Sequence, residues 1–151
     1  MKVKDLLIIL KKQYQNFNNL SEVVKEKKEI LINNEYDKLF DVISEEEQIL
    51  LKIQLAEEER LSTMDNIFKE LKINSEEYRI EVLINALTDK VNPEVLKSLK
   101  NYELLMKARI NEVTNNNKLN MMLIQQSRSL INETIHAVIN EGTKSLIDRT
   151  G

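Results

Sequence analysis

The chain has 151 residues, a formal net charge of −3, two glycines, one proline, one histidine and no cysteine. That length is enough for one domain with a real core, but so few glycines and prolines exclude a sheet protein, whose turns depend on them. The lack of cysteine excludes a disulfide framework and a thiolate metal site and fits a reducing, cytoplasmic setting, while 5% aromatic content without a basic stripe argues against nucleic acid as a partner. Leu, Ile, Lys, Glu and Asn dominate, which apart from Asn is the composition of long helices. The apolar run Leu6–Leu10 is too short for a signal peptide or a membrane span, so no membrane insertion is expected.

Val3, Leu7, Leu10, Tyr14, Phe17, Val24 and Leu31 recur at three- and four-residue spacing, broken at Ser21 and Lys28. They predict an amphipathic helix over residues 3–33, about 45 Å long at 1.5 Å per residue. Asn33-Asn34 favours a turn or cap. Tyr36, Phe40, Ile43, Leu50, Leu61, Met64, Phe68 and Leu71 predict a second helix over 35–72, with Leu10, Phe17, Phe40 and Met64 sharing one core. Glutamate runs at 45–47 and 57–59 oppose lysines of the first helix (Lys11, Lys12, Lys25, Lys27, Lys28), as an antiparallel hairpin would. Exposed pairs of this kind contribute only about 0–1 kcal/mol each.

Asn74-Ser75 before Glu76-Glu77 reads as an N-cap with first-turn acids, opening a short third helix that ends near Asp89. Asn92-Pro93-Glu94 is a clear restart, with proline at the first helical position. From there Val95, Leu99, Tyr102, Met106 and Val113 lead through an Asn-rich stretch to Leu130 or Ile131, Ile135 and Val138, until Gly142 offers a cap. The predicted fold class is all-α: an elongated antiparallel bundle of three long helices plus one short helix. It forms one domain over 1–142, followed by a flexible, mobile tail over 143–151.

Catalytic groups are scarce. Glu133-x-x-His136 matches half of a di-iron motif, yet His136 is the only histidine, so the second half has no ligand. Consecutive glutamates on a helix fan outward rather than facing each other across a cleft, as glycoside chemistry requires. There is no glycine-rich phosphate loop, and nucleophilic catalysis would rest on an unassisted Ser, Thr or Lys. The chain reads as a non-enzyme with no cofactor, no metal and no small-molecule substrate.

What remains is surface. Asn116, Asn117 and Asn120 stand where a helix that only had to pack would carry Leu or Ile. Burying an unpaired amide costs about 1–3 kcal/mol, so this stretch should face water, a polar network or a partner. Met121, Met122, Leu123 and Ile124 follow, four consecutive apolar residues and more than one helix face buries. Methionine suits adaptable binding surfaces, and residues 117–135 through Ile135 read as a groove for an amphipathic client helix.

Asn117-x-x-Asn120-x-x-Leu123-Ile124-x-Gln126-Ser127 resembles a stretch of the FlgN-type flagellar export chaperones. The run from Lys28-Glu29 through Leu31-Ile32, Asn34, Tyr36 and Leu39 to Leu50-Leu51 and Glu57-x-x-Arg60 is similar to that family's first helical hairpin. Ser145-Leu146-Ile147-Asp148-x-x-Gly151 is similar to its tail. The chain departs from the family at Ile147, where a tyrosine is usual, and at Arg128, where an apolar residue is common. The resemblance implies a cytoplasmic, non-enzymatic chaperone that binds the helical termini of hook-associated proteins 1 and 3. Such a chaperone prevents their premature assembly and delivers them to the cytoplasmic domain of the flagellar export gate. Carried over, client binding falls on Asn117, Asn120, Leu123, Ile124, Gln126, Ser127 and Ile131, with Met121 and Ile135 on the same stretch. Gate docking falls on Ile147 and Asp148, with Leu146 as the other large apolar side chain of the tail. The other readings of the pattern are a scaffolding coiled-coil protein, in which the long helices self-associate, and an adaptor of another secretion system.

Overall fold

A computed structural model describes residues 2–150, with side-chain surroundings through Gln126 and at Ser129. The described chain forms α1 (Val3–Ile32), α2 (Leu39–Glu70), α3 (Ile80–Leu87) and α4 (Pro93–Thr150), with a 3-10 turn at Tyr36–Lys38. Three long helices and one short one match the expected all-α class.

The helix ends are set by local chemistry. α1 closes with Asn34 at φ 55°, where the Glu35 N–H reaches the Ile30 carbonyl at 3.0 Å and the Asn34 N–H reaches Leu31. This is a Schellman closure, and asparagine tolerates the left-handed backbone it needs. α2 closes the same way on Lys72, also at φ 55°. At the start of α4, the Glu94 N–H donates to Asn92 Oδ1 at 3.0 Å, the cap read from Asn-Pro-Glu.

Two expected boundaries shift. α3 begins at Ile80 rather than after Ser75, whose hydroxyl donates to the Glu77 carbonyl at 2.9 Å instead of capping a helix. Tyr78 explains the delay. Its ring packs on Phe68 at 5.3 Å and its hydroxyl donates to Asp65 at 2.7 Å, tying the connection to α2 before a helix starts. α4 continues past Gly142 to Thr150. The side chains of 143–151, read as a tail from the sequence, lie outside the described residues.

α1 is the shared partner. It packs along both α2 and α4, which have no extended contact with each other. α2 runs against α1, with Lys27–Glu46 at 3.3 Å near one end and Lys12–Glu59 at 3.8 Å near the other. α4 runs with α1, since the rings of Tyr14 and Tyr102 lie 6.4 Å apart and Lys25 meets Glu112 at 2.5 Å. α2 is therefore antiparallel to both.

The buried apolar residues form two clusters rather than one core. The first joins Leu6 and Leu10 to Met64, Phe68, Leu87 and Leu99. The second joins Leu20 and Val24 to Val42, Ile49 and Val113. Gln13 and Asn16 are buried on α1 between them. The expected grouping thus divides: Leu10 and Met64 belong to the first cluster, Phe17 packs against the second, and Phe40 is 79% exposed. The buried row of α2 is Val42, Ile49 and Ala56 at seven-residue intervals. Phe40 precedes Val42 by two residues and so points roughly away from it, at about 100° per residue.

Candidate protein-interaction site

On α4 the residues Leu99, Met106, Val113 and Asn120 recur every seven positions and face α1. A seven-residue repeat of this kind is the seam of helices that coil around each other. Asn120 takes a core place in that seam and is only 1% exposed. Its Nδ2 donates to the Val24 carbonyl at 3.1 Å, while Oδ1 has no partner among the described residues. Of the environments the sequence allowed, the structure supplies a polar contact inside the bundle.

The other predicted client residues separate by helix face. Glu103, Ile110, Asn117 and Ile124 make a second row at seven-residue spacing, and its first two members line a groove shared with α2. Asn117, Leu123 and Ile124 are half-buried, whereas Gln126 is exposed. Met121 is 61% exposed; Met122 is open too, and so is Leu119 on the opposite face of the helix. The side chains of Ser127, Ile131 and Ile135, and of Leu146, Ile147 and Asp148, lie outside the described residues. So do those of Glu133 and His136.

Just before this segment α4 is clamped to α1. Glu112 receives Lys25 from α1 and Arg109 from its own helix, the latter at 2.7 Å. The hydrogen bond from Lys25, then that from Arg109, holds its carboxyl down to about 2 against the opposing effect of burial. Arg109 also reaches Tyr14, whose hydroxyl is lowered first by its bond to Asn18 and then by Arg109.

Sequence reading missed the groove between α2 and α4. Its floor is α1, at Leu10, Gln13 and Phe17, and its walls include Ile53 and Arg60 on α2 and Met106 and Ile110 on α4. The cavity volume is about 380 Å³. Ion pairs stand on both walls: Arg60 Nη2 binds Glu57 at 2.6 Å and Lys107 binds Glu103 at 2.9 Å. Arg60 holds the Glu57 carboxyl below its ordinary range although burial opposes it. The groove's trace in the sequence is that Gln13 interrupts the apolar stripe of the first helix.

Among the described residues no group of His, Asp or Glu is placed to hold a metal ion. No described helix is long and apolar enough to cross a membrane. What the geometry offers is apolar surface with polar edges on long helices, suited to binding another helix. Comparison with curated proteins and with solved structures gives no match. The family model for the FlgN protein, however, matches residues 1–145, nearly the whole chain. The chain therefore belongs to the FlgN family of flagellar export chaperones.

Proposed function

We propose that this chain binds the helical termini of hook-associated proteins 1 and 3 in the cytoplasm, keeps them from assembling early and hands them to the cytoplasmic domain of the export gate. The supporting observation is the open apolar side chain of Met121, with the half-buried Ile124 on the same face, on a helix otherwise locked to α1. A client whose amphipathic terminus is not yet polymerised exposes apolar surface, and covering it requires complementary apolar area rather than a reaction. In this reading Met121, Asn117 and Ile124 meet the client on the α2 side of α4. Leu123 and Gln126 extend the contact, Ser127, Ile131 and Ile135 continue it, and Asn120 positions the helix from within. Moderate affinity serves delivery, because the client must be released.

Leu146, Ile147 and Asp148 are assigned to gate docking, with Ile147 taking the place of an aromatic residue. Deleting residues 143–151 tests the division of labour. Pull-downs with the truncated chain should retain the hook-associated proteins and lose the gate's cytoplasmic domain. Gate binding by the truncated chain contradicts the assignment.

A further inference from the structure

Each long helix changes character at the same level of the bundle. On α1 the buried apolar residues stop at Leu10 and resume at Leu20, about 15 Å further on at 1.5 Å per residue, and only Gln13 and Asn16 are buried between them. On α2 the single buried residue between Ile49 and Met64 is Ala56. On α4 the single one between Leu99 and Val113 is Glu103. Gln13 Nε2 donates to the Ile53 carbonyl at 3.3 Å, and the Tyr14 ring lies 6.4 Å from that of Tyr102, so the three stretches lie side by side. They form a waist of polar and small residues between the two apolar clusters.

We propose that this waist divides the bundle into two cooperative units. The unit around Val24, Ile49 and Val113 opens while the unit around Leu10, Met64 and Leu99 stays folded. The inference concerns the free chain and is independent of the client assignment.

A cluster passes on the loss of a contact only through side chains that touch, so cooperativity needs continuous packing. The waist interrupts that packing in two ways. Gln13 Oε1, Asn16 Nδ2 and Glu103 Oε2 are buried and have no hydrogen-bond partner among the described residues. Each has given up water without gaining a bond, so opening beside it relieves a cost. Phe17, Ile53 and Met106 reach in from either side but are only half-buried, and the cavity of about 380 Å³ lies among them. Unfilled volume forfeits the contacts that would couple the two sides.

The two units are unequal. Leu83 and Leu87 of α3 pack into the first, and the rings of Phe68 and Tyr78, 5.3 Å apart, tie the connection before α3 to it. The second cluster holds no residue of α3, and Val113 is the one buried residue that α4 gives it. Beyond Val113 the one buried residue of α4 among the described side chains is Asn120. The second unit is therefore the one that opens, and it carries Asn120 and Met121 with it.

The test is native-state hydrogen exchange on the full chain in rising, sub-denaturing urea. The amides of Val23, Val24 and Ile49 should share one opening with a shallow urea dependence, and exchange at least about a hundredfold faster than those of Leu10, Ile67 and Leu99. Ile67→Val, in the unit that stays folded, should speed its own set about threefold to tenfold and leave the Val24 set unchanged. Gln13→Leu, which removes one unpartnered polar group from the waist, should slow the Val24 set. One common opening for both sets overturns the proposal, as does exchange graded smoothly inward from the Asn33-Asn34 turn. Equal acceleration of both sets by Ile67→Val overturns it too, and so does a folded Gln13→Leu chain whose Val24 set exchanges as before.

Discussion

The Asn120 side-chain amide donates to the Val24 carbonyl at 3.1 Å, joining the Asn-rich segment of α4 to the middle of α1. The Val24 carbonyl lies inside α1, so this bond is additional to the helix's own ladder. Asn120 nevertheless carries a buried Oδ1 with no partner among the described residues. Removing both polar ends for a similar-sized apolar group should be neutral or stabilising, whereas truncation loses bond and packing together. Asn120→Leu is expected to keep or raise the urea midpoint, and Asn120→Ala to lower stability by about 1–2 kcal/mol. A larger loss in Asn120→Leu than in Asn120→Ala would show that the amide is essential to the seam.

Phe40 and Met64 make a contrasting pair on α2. Phe40 is 79% exposed, so Phe40→Ala should change stability by no more than about 0.5 kcal/mol. Met64 is fully buried in the first cluster, and Met64→Ala should cost about 2–5 kcal/mol. Denaturation curves of the two variants check the buried face of α2. A large loss from Phe40→Ala would reverse it.

Acid should loosen the clamp between α1 and α4. The carboxyl of Glu112 sits at about 2, below its ordinary 4.5, because Lys25 and Arg109 bind its charged form. A group depressed in the folded state contributes stability that is complete above its unfolded value and lost as pH falls through the folded one. The window is therefore from about 4.5 down to about 2. In Glu112→Gln this part of the acid dependence should disappear, as read from urea midpoints at several pH values. An unchanged pH profile would mean that the clamp carries no weight.

Much of the fold was legible because its signals are local. The stripe from Val3 to Leu31, the Asn33-Asn34 turn and the Asn92-Pro93-Glu94 restart each act within a turn or two of helix, and the structure places α1 and the start of α4 there. The facing of α2 was not legible, because Leu50, Leu51 and Leu55 spread apolar residues around the helix and hide the Val42–Ile49–Ala56 row. The spacing of Tyr36, Phe40 and Ile43 suggested burial of Phe40, but the Val42–Ile49–Ala56 row places it outside. Asn120 was correctly picked as out of place, yet only tertiary contact shows that its amide turns inward to Val24. The groove was invisible because its residues come from all four helices and acquire meaning only once α1 lies between α2 and α4.

Isothermal titration of the full chain with purified hook-associated proteins 1 and 3, repeated with Met121→Asp, tests the central claim most directly. Met121 is 61% exposed, so the substitution should leave helicity and melting unchanged. The wild-type chain should bind, and Met121→Asp should weaken binding at least tenfold, on the order of 1.4 kcal/mol or more. No binding of either protein, or equal affinity for the variant, would contradict client recognition on this face of α4.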